Sequence, residues 1–233
     1  MTATYETTRS KLERYFDRTA AETWARLTSD APVSRVRATV RAGRDRMRAV
    51  LLGMLPEDLT GLRVLDAGCG VGQLAVEAAR RGAEVVAVDI SPTLVGIARE
   101  RAEGAGRLKG TIRWGSGDML DEALGSFDHV VAMDSLIHYR PDDIVGALAR
   151  LAPRVRGSIA FTVAPATPAL SAMWAAGKLF PRSDRSPAIQ PVSAATLARR
   201  AARAPALAGW SIAPRERVSR GFYISEALEA RPA

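Results

Sequence analysis

Cysteine is almost missing from this chain. Cys69 is the single one in 233 residues, so no internal disulfide framework can form, and a reducing, cytoplasmic setting is expected. Lysine is nearly as scarce, with Lys11, Lys109 and Lys178 standing among 33 basic residues. Histidine occurs twice, as His129 and His138. No apolar run approaches the roughly 20 residues that cross a bilayer. The opening Met1-Thr2-Ala3-Thr4-Tyr5-Glu6 lacks the apolar stretch of a secretory leader. Internal repeats and low-complexity tracts are missing too. These absences exclude a disulfide scaffold, a membrane-spanning helix and a fibrous or repeat architecture.

What is there describes an ordinary globular chain, 47% hydrophobic and 25% charged, with the length of one large domain. The net charge of +8 comes mostly from arginine. Such an excess suits nucleic acid, anionic lipid or an acidic small molecule, and equally a solvated surface coded with arginine.

Leu12, Tyr15, Phe16, Ala20, Trp24 and Leu27 recur at three and four residues, predicting an amphipathic helix over 5–28. A second helix is expected over 33–55, with Val33, Val36, Val40, Met47, Leu51 and Met54 on one face. Its other faces carry Arg35, Arg37, Arg41, Arg44, Arg46 and Arg48, opposed only by Asp45. From Gly61 strands and helices alternate. Strands are expected at 63–66, 84–89, 111–114, 127–133 and 158–163, with helices over 72–81, 92–104 and 142–151. Trp210–Val218 and Gly221–Glu226 read as a closing hairpin. The fold class is therefore α/β: a Rossmann-like, doubly wound, seven-stranded and mostly parallel sheet. Residues 1–60 form a helical lid or extension and 61–233 the main domain. Within it, 165–192 is a proline-punctuated cap bearing Leu170, Met173, Trp174, Leu179 and Phe180.

The sharpest motif is Val64-Leu65-Asp66-Ala67-Gly68-Cys69-Gly70-Val71-Gly72. Its glycines let a strand turn tightly into a helix beside a ligand. A dinucleotide fingerprint would need glycine at 73, where the chain has Gln73. Asp66 would repel a pyrophosphate and attract the ammonium of a methionine moiety, which favours S-adenosyl-L-methionine. Asp89, 21 residues after Gly68, can accept both ribose hydroxyls, and Ile90 can pack on adenine. Asp118 is placed to bond the adenine amino group, with Met119 lining the ring and Met133 ending the fourth strand nearby. Cys69 fills a site that admits only a small side chain; without a neighbouring base it is no nucleophile. No metal site is expected.

These motifs resemble those of class I methyltransferases over roughly residues 61–230. The whole chain is also similar to the magnesium-protoporphyrin IX O-methyltransferases of bacteriochlorophyll biosynthesis. That resemblance rests on Tyr15-Phe16-Asp17-Arg18-Thr19, Val40-Arg41-Ala42-Gly43-Arg44, Asp134-Ser135-Leu136-Ile137-His138-Tyr139 and Gly221-Phe222-Tyr223-Ile224-Ser225. It implies methyl transfer to one porphyrin propionate, with magnesium protoporphyrin IX as substrate, magnesium chelatase as partner and contact with the photosynthetic membrane. It also leads one to expect a catalytic tyrosine where this chain has Thr28. His138, at the end of the fourth strand, is the candidate to steer the attacking carboxylate, and Tyr15 is a candidate cofactor contact. A propionate is already ionised at neutral pH, its pKa being near ~4–5 by analogy with glutamate, so no strong base is needed. The residues alone leave open a phenolic acceptor of quinone type, RNA, which no binding appendage supports, and a cofactor-binding regulator.

Overall fold

Apolar side chains on both faces of the strands decide the architecture. In β2 (Glu84–Asp89), Val85 and Ala87 enter one core and Val86 and Val88 the other. Such a strand needs helices on both sides. The computed structural model describes residues 2–17, 34–166 and 188–233 and shows that arrangement. β1 (Arg63–Ala67), β3 (Thr111–Ser116), β4 (Phe127–Ala132) and β5 (Val155–Val163) join β2 in a parallel array. With β6 (Trp210–Arg220) and β7 (Tyr223–Pro232), the seven-stranded sheet has the order β3-β2-β1-β4-β5-β7-β6. β7 is antiparallel to both its neighbours.

The closing hairpin is longer than its composition suggests. Ala227-Leu228-Glu229-Ala230 is made of helix formers, yet it continues β7 as far as Pro232. The reason is tertiary: Ile159–Val163 pair with Glu226–Ala230, which buries Ala227, Leu228 and Ala230. The inward Glu229 carboxylate is met by Arg215 of β6.

α1 (Ala3–Tyr15), α5 (Pro141–Leu151) and α6 (Ala194–Ala201) bury their apolar stripes in the core that contains Leu65, Val130 and Phe161. α2 (Arg35–Gly53) and α3 (Gln73–Arg80) bury theirs in the opposite core, with Val64, Val131 and Ala160. α4 (Pro92–Glu103) opens on proline at its first turn and is capped by Ser91. Ser34 and Ser193 cap α2 and α6 in the same way. In α2, Met47 and Leu51 are buried as the stripe predicts, while Val36 near its start is half exposed, at 51%. Of the helix expected over 5–28, Trp24, Leu27 and Thr28 lie outside the described residues, as do Met173, Trp174, Leu179 and Phe180 of the cap.

α1 is fastened at both ends. The Thr2 and Thr4 hydroxyls donate to Asp143 in the first turn of α5. Asp17 accepts the Thr93 hydroxyl at 2.7 Å and that of Ser91 at 3.2 Å, at the start of α4. The helix thereby crosses the carboxyl ends of the central strands. The flanks of the cap meet there too: Pro165 bridges Val192, and the Gln190 N–H donates to the Ile137 carbonyl at 2.8 Å.

Candidate active site

The turn from β1 into α3 makes the floor of a cavity. Gly68, Gly70 and Gly72 have φ of 84°, 54° and 78°, a left-handed backbone in which a side chain is strained. A Cβ at 68 would also come within 2.5 Å of Ser135, and one at 72 within 2.5 Å of Trp114. The Gly68 and Cys69 N–H groups donate to the Val88 carbonyl at 2.8 and 3.0 Å, fixing the turn against β2.

Three carboxylates border this floor. Asp66 is 1% exposed, and its Oδ2 has no hydrogen-bond partner. Burial, reinforced by the neighbouring Asp89, pushes its pKa up to about 7. An uncompensated buried carboxylate oxygen is costly alone and complementary to a cation. Asp89 accepts the Gly70 N–H at 2.8 Å and the Ser91 N–H at 2.9 Å. Burial raises its pKa and these backbone donors pull it back. Asp118 accepts the Leu120 N–H at 2.9 Å and the Tyr5 hydroxyl at 3.0 Å. Burial raises the Cys69 thiol well above its ordinary range, and both aspartates reinforce that, so it stays protonated.

The other end of the cavity is built on the turn after β4. Asp134 has φ 54°, unusual for a residue with a side chain. Its N–H donates to Thr162 Oγ1 at 2.7 Å, and its carboxylate accepts Arg44 at 2.6 Å and the Tyr223 hydroxyl at 3.1 and 3.2 Å. These bonds hold the strained backbone in place. Ser135 Oγ is buried without a partner beside Gly68. His138 follows, 9% exposed, with Nδ1 3.4 Å from the Ala188 carbonyl and its ring 6.1 Å from that of Phe16. Tyr139 stacks on Tyr5 with ring centroids 4.7 Å apart.

Asp66, Gly68, Cys69, Gly70, Asp89, Ile90, Asp118, Met119, Met133 and His138 therefore border one cavity. Tyr15 does not. It lies edge-on to Phe16, because the inward face of α1 runs Tyr5, Arg9, Leu12 and Phe16, and Tyr15 is turned away from it. A stripe begun at Leu12 leaves out Tyr5 and Arg9, although Tyr5, Arg9 and Leu12 follow one another at spacings of four and three. The Asp134 cluster is missed for another reason: Arg44, Thr162 and Tyr223 come from α2, β5 and β7, and no local spacing links them. His129 is on β4 outside this lining, bonded to Ser158 at 3.0 Å. Among the described residues no cluster of three or more His, Cys, Asp or Glu could hold a metal.

A doubly wound sheet with an acid-bordered glycine turn at the end of β1 and a ligand cavity over its carboxyl edge defines a class I methyltransferase. A family profile described as a methyltransferase domain matches residues 64–157, and one described as the magnesium-protoporphyrin IX methyltransferase C-terminus matches 132–232. The magnesium-protoporphyrin O-methyltransferase of Rhodobacter capsulatus is 55% identical over 233 residues, all of both chains. The chain belongs to the magnesium-protoporphyrin IX O-methyltransferase family. The crystal structure of magnesium protoporphyrin IX methyltransferase from Synechocystis PCC 6803 with bound SAH shares 30% identity, covers 96% of this chain and 99% of that one, and has a TM-score of 0.78. The structure of the same enzyme with bound SAM shares 27%, covers 97% of both chains and has a TM-score of 0.75.

Proposed function

We propose that the chain transfers the methyl group of S-adenosyl-L-methionine to one propionate carboxylate of magnesium protoporphyrin IX, giving a monomethyl ester in bacteriochlorophyll biosynthesis. The observation that carries this is the convergence of the family-like segments on one cavity. Gly43 and Arg44, Asp134 and Tyr223 form a single cluster, and Phe16 faces His138.

The residues fit the donor. Asp66, with its unpartnered oxygen, receives the methionine ammonium. Asp89 receives the ribose hydroxyls, and Asp118 the adenine amine between Ile90 and Met119. Cys69 and Met133 line the passage, and Tyr5 with Phe16 does the work expected of Tyr15. When bound, the donor supplies an electrophilic methyl carbon on a cationic sulfur. A carboxylate takes that methyl, the C–S bond electrons return to sulfur, and charge is conserved without a proton being moved. The protein has then to orient the acceptor and keep water out. α1 serves as a lid within the 1–60 extension of the 61–233 domain.

His138 orients the acceptor. With Nδ1 donating to the Ala188 carbonyl, a neutral ring keeps only an acceptor at Nε2, whereas an imidazolium donates from both nitrogens. Steering a carboxylate therefore requires either the imidazolium or a tautomer that releases Ala188. Expected for His138→Ala is a loss of kcat/KM of at least about tenfold with unchanged cofactor affinity; unaltered turnover would remove it from the reaction.

The proposal extends to magnesium chelatase as supplier of the acceptor and to loose contact with the photosynthetic membrane from a cytoplasmic location. Supporting the membrane contact, Phe222 is 75% exposed. The reading is tested with one labelled donor and three acceptors: magnesium protoporphyrin IX, a quinone-type phenol and RNA. Transfer to the porphyrin is expected; transfer to the phenol or RNA instead would replace the reading.

A further inference from the structure

Three arginines border the cavity: Arg9, Arg44 and Arg48. Two are already engaged. Arg44 is paired with Asp134 at 2.6 Å, and Arg48 bonds Asp45 at 2.9 Å and Gln73 at 3.1 Å. Arg9 differs. It is half-buried, forms no ion pair among the described residues, and its Nε is buried without a hydrogen-bond partner. A guanidinium in this state is complementary to a carboxylate, which it can grip through two parallel N–H bonds.

Its position on α1 indicates which carboxylate. Arg9 lies one turn beyond Tyr5, which stacks on Tyr139, and two turns before Phe16, which faces His138. Its charge is felt at the Tyr139 hydroxyl, whose pKa is raised by burial and by Asp118 and Asp143 and pulled back by the Tyr5 hydrogen bond and Arg9. The cation thus stands on α1 between Tyr5, which bonds Asp118, and Phe16, which faces His138, and it borders the cavity. The reaction proposed above consumes one carboxylate of an acceptor that carries two, and the second also enters a partly desolvated cavity, where an unpaired charge is costly.

We infer that Arg9 holds the non-reacting carboxylate of a dicarboxylic acceptor and makes the enzyme selective for the diacid over its monoester. The product has lost one of the two charges. If it is to be methylated again, either the Arg9 contact or the reacting carboxylate is missing, so the reaction stops at one ester. This rests on the function proposed above, and a carboxylate could also come from the methionine end of the donor, so the test separates the sources.

Arg9→Gln and Arg9→Lys are compared with the wild type in three measurements. They are kcat and KM on magnesium protoporphyrin IX, the rate on its synthetic monomethyl ester, and SAH affinity by calorimetry without porphyrin. Expected for Arg9→Gln is a KM for the diacid raised about tenfold or more, with kcat nearly kept and SAH affinity unchanged. Arg9→Lys should recover part of the loss, and the preference for diacid over monoester should shrink in Arg9→Gln. Weakened SAH binding with an unchanged porphyrin KM would give Arg9 to the donor and overturn the inference, as would no change in any measurement. A wild type inactive on the porphyrin would overturn the function itself, and that is seen before any variant is made.

Discussion

Asp66 is held between opposing demands. Inside β1, with one oxygen unpartnered and a pKa near 7, it disfavours the folded state when ionised. Because its folded pKa exceeds the ordinary carboxylate value of 3.8, the folded state binds the proton more tightly. That contribution is full below about pH 3.8 and is lost as pH rises through about 7, at roughly 1.4 kcal/mol for each pH unit between those two values. Two outcomes follow. SAH affinity should fall as pH drops below about 7, by up to about tenfold per pH unit, since the donor ammonium needs the ionised carboxylate; calorimetry across pH 5.5–8 checks this on the order of one pH unit at a time. Asp66→Asn should lose that pH dependence and most of the affinity, while its cofactor-free form is at least as stable as the wild type at pH 8 in thermal melts. Asp134, by contrast, has its charge matched by Arg44 at 2.6 Å. Asp134→Asn leaves Arg44, 18% exposed, without its acid, and urea unfolding should show a loss of about 2–3 kcal/mol. Tyr223→Phe, which removes only the hydroxyl donor, should cost about 1 kcal/mol.

Among the elements, α2 does most to connect packing with the site. It lies against β7 so closely that a Cβ on Gly43 would approach the Tyr223 ring to 2.6 Å. Gly43→Ala should therefore cost about 1–3 kcal/mol in urea unfolding by pushing α2 outward. Gly53, the last residue of the same helix, has nothing within 4 Å, so Gly53→Ala should be neutral or stabilise by up to about 1 kcal/mol. The elements were largely legible. The βα units of the main domain announce themselves through buried apolar runs and glycine turns, and the acids at 66, 89 and 118 fall at or just after strand ends, where all three border the cavity. Legibility ended where long-range pairing overrode local preference. β7 carries helix formers through Ala230 and is a strand because β5 and β6 pair with it on either side. Tyr5 and Arg9 face the cavity, and Tyr15 does not, because a helix seated slightly differently on its stripe presents another set of side chains.

For the molecule as a whole, the +8 charge is partly neutralised along α2. Arg44, Arg46 and Arg48 are matched by Asp134, Glu216 and Asp45. Arg9, on α1, borders the cavity and forms no ion pair among the described residues. The fold supplies a fixed carboxyl edge, and α1, tied to α4 and α5 by Asp17 and Asp143, borders the cavity with Tyr5, Arg9 and Leu12. The most direct test of the account is to locate the transferred methyl. The wild type is incubated with isotope-labelled S-adenosyl-L-methionine and magnesium protoporphyrin IX, and the product is fragmented by mass spectrometry. The account predicts one label, on one propionate ester, and none on the macrocycle. Label elsewhere on the porphyrin, or an unlabelled porphyrin recovered from an enzyme that still binds SAH, would contradict it.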